Sequence, residues 1–150
     1  MSEFVRGETP FTEIEWPSVV VITNRGSNGE YLLEVVVAPT GINQYPKYLV
    51  EFGDVVGFSA MEEMHFPDHD FKDAKTTEEK LCAYRFVESP WLKFYERGEY
   101  FLFNLDGGTK ETLTHYVIFG GDDILQVVTK NEPMITIVNG PTARTIEFLY

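Results

Sequence analysis

The sequence predicts a mostly β, α+β protein: an antiparallel curled sheet or sandwich of about seven or eight strands, with one helix at about residues 90–97 packed on a face. Three observations favour this fold. Short β-branched and aromatic runs alternate with glycine, proline and asparagine turns along the chain. Several of these runs are separated by short turn segments, which is typical of antiparallel hairpins. A clear helix-start signal occurs at "SPWL".

The length and composition indicate a single globular domain spanning residues 1–150. The chain is 43% hydrophobic and 15% aromatic. A chain of this length buries roughly 70% of the surface that its unfolded state exposes, so it can form a core without disulfides or metal ions. Cys82 is the only cysteine and lies in the apolar run "LCAYRFV". This setting predicts a small buried side chain rather than a nucleophile.

The first half of the chain reads as a hairpin followed by a bent strand region. Residues 19–23 and 31–38 are apolar on consecutive positions, so both faces of these strands should be covered. The segment "NRGSNG" between them supplies turn residues. In "KYLVEFGDVVGFSAMEEM", Gly53 and Gly57 predict a bend or a bulge. The pattern leaves open whether "AMEEM" continues the strand or forms a turn of helix.

The helix is predicted from its first residues. Ser89 suits the N-cap, and Pro90 suits the first helical position. Trp91 and Phe94 then lie on one face and are expected to dock the helix against the sheet. Gly98 is the expected stop. The pattern of residues 99–105 fits either a strand or a continued helix.

The last third predicts further strands. "LCAYRFVES" is one strand, and "THYVIF" with "ILQVV" forms a hairpin across "GGDD". "MITIV" and "RTIEFLY" form another hairpin across "NGPT". His115 shares a predicted face with Leu113 and Val117, which favours a core or interface histidine over a catalytic base.

The charge balance narrows the classes of partner. The chain has 12 basic and 24 acidic residues, a net charge of −12. A surface this negative repels nucleic-acid phosphates and anionic membranes, and it favours a basic protein partner. The N-terminal residues lack a signal-peptide pattern, and the apolar runs are too short to span a bilayer. These features predict a cytoplasmic protein without a cofactor.

The segment "HFPDHDFKD" is the most metal-like stretch. His65 and His69 have the spacing of paired zinc ligands on a helix. Pro67 lies between them and would break that helix, so a solvated acidic loop is the favoured reading. A calcium loop fails because Lys72 and Asp73 stand where an oxygen ligand and a glycine are required. The acidic residues of segment 62–79 are instead the candidate contact surface for a partner: Asp68, Asp70, Asp73, Glu78 and Glu79.

No motif indicates a reaction. "GFSAM" has Met61 where a nucleophile elbow needs its second glycine, which predicts that Ser59 is an ordinary strand residue. A pair of catalytic carboxylates would need residues from different strands, such as Glu34, Glu51 or Glu88. The sequence does not indicate which of these meet.

"SPWL" followed by "HYVIFGGDDILQVV" resembles a pattern of small bacterial domains, some of which are similar to immunity proteins that neutralise a toxin. The resemblance covers residues 89–138 and carries over no functional residue. It implies a bacterial, cytosolic, non-catalytic protein.

Three functional hypotheses follow from the sequence. The leading one is a non-enzymatic acidic module that binds a basic protein. The second is a small-molecule or metal-dependent enzyme, with a pocket lined by Tyr84, Phe86, Tyr116 and Phe119 and histidines supplying chemistry. The third is a self-associating structural subunit that forms a homo-oligomer through its strands.

Overall fold

The fold is a two-layer β structure with one helix. The computed structural model describes residues 3–25, 31–39, 44–62, 75–76, 81–97, 113–121 and 123–140. In chain order, the elements are β1 (Glu3–Arg6), β2 (Ser18–Arg25), β3 (Tyr31–Ala38), β4 (Lys47–Phe52), β5 (Val55–Glu62), β6 (Lys75–Thr76), β7 (Ala83–Val87), α1 (Pro90–Arg97), β8 (Thr114–Phe119), β9 (Asp123–Thr129) and β10 (Met134–Val138).

The strands form two sheets. The larger sheet has the order β5-β9-β8-β7-β1-β6, and the smaller has the order β10-β4-β3-β2. Neighbouring strands are antiparallel, except that the two-residue β6 runs parallel to β1. The mostly β class and the antiparallel arrangement are therefore confirmed. The described part of the chain has more strands than expected, because β1 and β6 are short and lack a turn-bounded apolar run.

The chain changes sheets at a corner between β4 and β5. Asp54 has a φ of +50° there, in the left-handed region. Thr129 Oγ1 donates to the Gly53 carbonyl at 2.7 Å, and Asn131 Nδ2 donates to Asp54 Oδ2 at 2.6 Å. The pairing of β5 with β9 then shifts register before Gly57. The predicted bend and bulge are both confirmed, and β5 continues through "AME" as a strand.

The two sheets enclose the main core. Its fully enclosed aliphatic residues include Leu33, Val35 and Val37 on β3, and they alternate with side chains on the opposite face of that strand. Burying a side chain of this size contributes about 1.5–3 kcal/mol. The remaining buried members of the core are Phe11, Val19, Tyr48, Val50, Phe52, Cys82, Ala83, Ile118, Leu125 and Val127.

The face of the larger sheet turned away from this core is also covered. A second buried cluster lies there, formed by Phe4, Tyr84, Phe86, Val117 and Ile124. Because both faces are buried, strands β7, β8 and β9 carry apolar side chains on both sides.

Helix α1 packs over this outer face. Ser89 Oγ accepts the backbone N–H of Leu92 at 3.1 Å, which confirms the predicted N-cap. Trp91 stacks on the His115 ring of β8, as expected of a docking residue. The prediction for Phe94 is wrong, because its side chain is 67% exposed. The helix meets the sheet at β8 near its first turn, and Phe94 lies one turn further along.

The hairpin predictions are confirmed where the structure describes them. Strand β2 pairs with β3, and β8 pairs with β9, in antiparallel register. The second arm of the third predicted hairpin and residues 99–105 lie outside the described residues. Within the described part of the chain, no helix is long and apolar enough to cross a membrane.

Candidate functional site

The acidic contact surface and the histidine pair lie outside the described residues. The residues concerned are His65, His69, Asp68, Asp70, Asp73, Glu78 and Glu79. Both hypotheses about them therefore stay predictions. In the ranges that the structure does describe, no group of three or more histidine, cysteine, aspartate or glutamate side chains could hold a metal ion.

Two of the three candidate strand carboxylates do meet. Glu34 on β3 is the direct cross-strand partner of Glu51 on β4, whereas Glu88 follows β7 in the other sheet. Directly opposed residues on antiparallel strands have Cβ atoms about 4.5–5.5 Å apart. Neither Glu34 nor Glu51 lines the cleft described below, and like charges placed opposite each other oppose the strand pairing.

The third histidine, His115, is enclosed between two aromatic rings. Phe86 stacks on one side with ring centroids 5.3 Å apart, and Trp91 stacks with centroids 5.2 Å apart. The Nδ1 atom of His115 lies 2.6 Å from Ser89 Oγ. Both side chains are buried, at 1% and 0% exposure. The arrangement joins the N-cap of α1 to the outer face of the larger sheet, and it confirms the predicted core histidine.

The buried position fixes the protonation state of His115. Burial lowers the pKa of the imidazole to about 4, and the Gln126 side chain opposes this shift. The ring is therefore neutral at pH 7. Ser89 Oγ accepts the Leu92 N–H and also hydrogen-bonds with Nδ1, a contact in which either atom can be the donor. Among the described residues, neither Nε2 nor Gln126 Oε1 has a partner at hydrogen-bonding distance.

Ser89 and His115 are in contact, as a catalytic serine and its base would be, but the resemblance ends there. A nucleophile must reach the substrate, and here both groups are sealed beneath α1. Cys82 is equally inaccessible: its thiol donates to the Phe11 carbonyl at 3.0 Å, and burial raises its pKa to about 12. These three side chains are therefore part of the buried interior.

An open cleft does lie between the two sheets. Its volume is about 330 Å³, and we call it the inter-sheet cleft. The walls come from the turn after β1, the inner faces of β4, β7 and β8, and the start of β10. The lining residues are Gly7, Glu8, Thr9, Phe11, Val50, Phe52, Ala83, Tyr84, Arg85, Tyr116, Val117, Ile118, Glu132, Pro133 and Ile135.

The polar part of the cleft is built around Tyr116. Arg85 on β7 is the direct cross-strand partner of Tyr116 on β8, so both side chains leave the sheet on the same face. Burial raises the pKa of the Tyr116 phenol, and the Glu132 carboxylate raises it further, while the Arg85 guanidinium opposes them. The phenol is therefore protonated at neutral pH and can donate a hydrogen bond. Of the aromatic residues expected in a pocket, Tyr116 lines this cleft from the inner face. Tyr84 borders the cleft but belongs to the outer cluster, together with Phe86 and Phe119.

A second candidate site lies on the segment between β1 and β2. We call Glu13, Glu15 and Trp16 the Trp16 surface. All three side chains are exposed, and Trp16 is 63% exposed. Trp16 also has a φ of +49°, a conformation that a bulky residue rarely adopts. Strain of this kind persists only where the surroundings enforce it.

Contacts on both sides hold the Trp16 surface in place. The next residue, Pro17, is buried, and its carbonyl accepts the Gly121 N–H at 2.9 Å. On the other side, Arg6 forms a salt bridge with Glu13 at 3.1 Å. A Cβ added at Gly120 would lie 3.0 Å from Val19 Cγ2 and 3.1 Å from the Pro17 carbonyl oxygen, so the turn after β8 packs closely against this segment.

Neither site is marked by a sequence motif. The signal for the Trp16 surface is a tryptophan placed among glutamates in "TEIEWPS", and the signal for the cleft requires the strand order. Comparisons with models of protein families, with curated proteins and with solved structures found no match. The function must therefore be argued from the sites themselves.

Proposed function

We propose that this protein is a non-enzymatic binding module that recognises a basic protein partner through the Trp16 surface. The observation that carries the proposal is Trp16 itself: a large aromatic side chain, 63% exposed, on a strained and anchored backbone that follows two exposed glutamates. Tryptophan is among the residues that most often dominate binding energy at protein interfaces.

The chemistry of the surface selects a cationic side chain. An arginine guanidinium can stack on the indole face while it donates hydrogen bonds to a carboxylate. Glu15 supplies an exposed carboxylate beside Trp16, and Glu13 adds a second that is shared with Arg6. The net charge of −12 would steer a basic partner toward the protein over a longer range.

The fixed backbone adds to the case for binding. A segment whose backbone already holds one conformation loses less conformational freedom when a partner docks, which improves affinity without new contacts. The enclosure of Ser89, Cys82 and His115 also favours a binding role over nucleophilic catalysis.

Several expectations from the sequence are compatible with this proposal. The acidic residues of segment 62–79 would extend the negative surface, and a cytoplasmic, immunity-like role in a bacterium would suit a module of this charge. Self-association through strands is the competing binding mode. Light scattering over a range of concentrations separates the two, since self-association raises the molar mass with concentration.

Two peptides of equal charge test the surface directly. We expect the acetylated and amidated peptide Gly-Arg-Gly-Arg-Gly-Arg-Gly to bind more tightly than its lysine counterpart, because guanidinium stacks better on indole. Calorimetric titration should show this preference in the wild type and its loss in Trp16→Ala, which keeps the net charge. Both peptides should bind more weakly as salt increases.

The matched control is Glu88→Gln. It also removes one exposed carboxylate, but Glu88 follows β7 and belongs to a different segment of the chain from Trp16. It should keep the arginine preference, while Glu15→Gln should reduce it. Equal binding of both peptides by the wild type, or an arginine preference that survives Trp16→Ala, would overturn the proposal. A native partner should then be a basic protein that forms a complex with the purified wild type, and about tenfold more weakly with Trp16→Ala.

A further inference from the structure

The geometry of the inter-sheet cleft points to a second binding site. We propose that the cleft binds a small carboxylic acid with an apolar body, held by Arg85 and Tyr116. This ligand class is separate from the basic protein partner, and the cleft shares no residue with the Trp16 surface.

The interior of the cleft suits an apolar body. Its inner walls are formed by aromatic and aliphatic side chains of the two sheets, among them Phe11, Phe52 and Ile118. The volume of about 330 Å³ lies at the lower end of the range of about 300–1,000 Å³ that is usual for small-molecule sites. A ligand with one ring or a short branched chain is therefore the expected size.

Arg85 supplies the charge that an acid requires. Its side chain is exposed, and it forms no ion pair or hydrogen bond with any residue in the described part of the chain. The protein has 12 basic residues against 24 acidic ones, so a guanidinium in the wall of an apolar cleft stands out against the overall charge. The planar guanidinium matches a carboxylate with two parallel hydrogen bonds.

Tyr116 supplies a second donor. It lies directly across from Arg85 on the neighbouring strand, and its ring packs against Phe52 at a centroid distance of 5.7 Å, so it adjoins both the apolar wall and the arginine. The phenol stays protonated at neutral pH, because burial and Glu132 both raise its pKa. A carboxylate bound there would accept from both side chains.

Two acidic residues that line the inter-sheet cleft should limit its affinity for a carboxylate. Glu8 is paired with Arg6 at 3.3 Å, which offsets part of its charge. Glu132 acts on Tyr116 and would repel an anion, so the carboxylate should bind modestly. The same repulsion yields a diagnostic sign: removing the Glu132 charge should strengthen the binding of an acid and weaken the binding of an amine.

Two probes with the same apolar body test the proposal. The ligands 4-phenylbutyrate and 4-phenylbutylamine differ only in the head group. Titration of the full-length ¹⁵N-labelled protein followed by NMR should show that the acid shifts amides of β7, β8 and the start of β10. The amine should bind at least fivefold more weakly at this site.

Three variants distinguish binding in the cleft from a general effect of net charge. We expect Arg85→Gln to weaken the acid about tenfold and Glu132→Gln to strengthen it severalfold. Lys93→Gln also removes one positive charge, but it lies on α1 at the other face of the sheet, and it should leave the affinity unchanged. An amide spectrum that keeps the wild-type dispersion verifies that each variant is folded.

The proposal fails if the acid shifts no amides around the cleft, if both probes bind equally, or if Arg85→Gln and Lys93→Gln have the same effect. None of these outcomes bears on the Trp16 surface, since the peptide titrations report a different part of the molecule.

Discussion

His115 and Tyr116 are neighbours in sequence, yet they lie in opposite environments. His115 points to the outer face of the larger sheet and is sealed between Phe86 and Trp91, whereas Tyr116 points to the inner face and lines the cleft. Burial lowers the pKa of the histidine to about 4, and burial together with Glu132 raises the pKa of the tyrosine. Both groups are neutral at pH 7, but only Tyr116 can reach a ligand.

In this fold, enclosure decides the role of a polar ring more than residue type does. On the outer face, α1 covers His115: Trp91 stacks on the ring, and the N-cap residue Ser89 hydrogen-bonds with Nδ1. The inner face encloses the main core but is open at the cleft, where Arg85 on β7 is exposed. Histidine is the more common catalytic residue, but here His115 is enclosed and Tyr116 is the polar ring that lines an open cleft.

The largest expected effect concerns the aromatic enclosure. Phe86 is buried, packs on Phe4 with ring centroids 4.3 Å apart, and covers one face of His115. Phe86→Ala should lower the free energy of unfolding by about 3–5 kcal/mol, since it leaves a cavity in the outer cluster. Urea unfolding measures this change. Phe94→Ala, which truncates a mostly exposed ring of the same size, should change stability by less than about 0.5 kcal/mol, and similar costs for the two would show that the outer face is not sealed.

The second effect is a dependence of stability on pH. His115 has a pKa of about 4 in the folded protein and an ordinary value of 6.5 when unfolded. Between these two pH values the unfolded chain binds a proton at His115 and the folded chain does not. The contribution of His115 to the free energy of unfolding is therefore full above pH 6.5 and is lost as the pH falls toward 4. The loss between pH 7.5 and pH 4.5 should be about 2–3 kcal/mol.

Carboxylates also titrate in this range, so a matched variant is needed. His115→Gln has no titrating side chain at this position, and its free energy of unfolding should fall less between the two pH values. The difference between the two proteins isolates the contribution of His115. Parallel pH profiles would mean that the imidazole is accessible to protons in the folded protein, which would remove the contrast with Tyr116.

The fold could be predicted from the sequence wherever local patterns decided it. Hairpin turns, the Ser89 cap and the bend at Gly53 are local, and each is confirmed. The choice between a sandwich and one curled sheet depends on long-range pairing, such as β1 with β7, which a single sequence does not display. Phe94 was misplaced because helical periodicity shows which side chains share a face, but not how far the sheet beneath extends.

The sites were harder to predict for the same reason. The cleft brings together residues from five separate segments, and Arg85 meets Tyr116 only through the pairing of β7 with β8. Trp16 is exposed and has a positive φ, and neither property can be read from the composition. His115, in contrast, lies in an apolar run with alternating neighbours, and this local pattern was sufficient to place it in the core.

The smallest effect compares one hydroxyl on each face. Ser89→Ala removes the N-cap acceptor of α1 and the partner of His115 Nδ1, so it should lower the free energy of unfolding by about 1–3 kcal/mol. Tyr116→Phe keeps the ring against Phe52 and removes the hydroxyl of a half-buried side chain together with its hydrogen bond to Thr114, so its cost should stay below about 1 kcal/mol. Urea unfolding of both variants at pH 7 measures the difference. If Tyr116→Phe cost as much as Ser89→Ala, the phenol would belong to the sealed core and could not donate to a ligand in the cleft. A small cost for Tyr116→Phe, combined with weaker binding of 4-phenylbutyrate, would instead show that this hydroxyl serves binding and contributes little to stability.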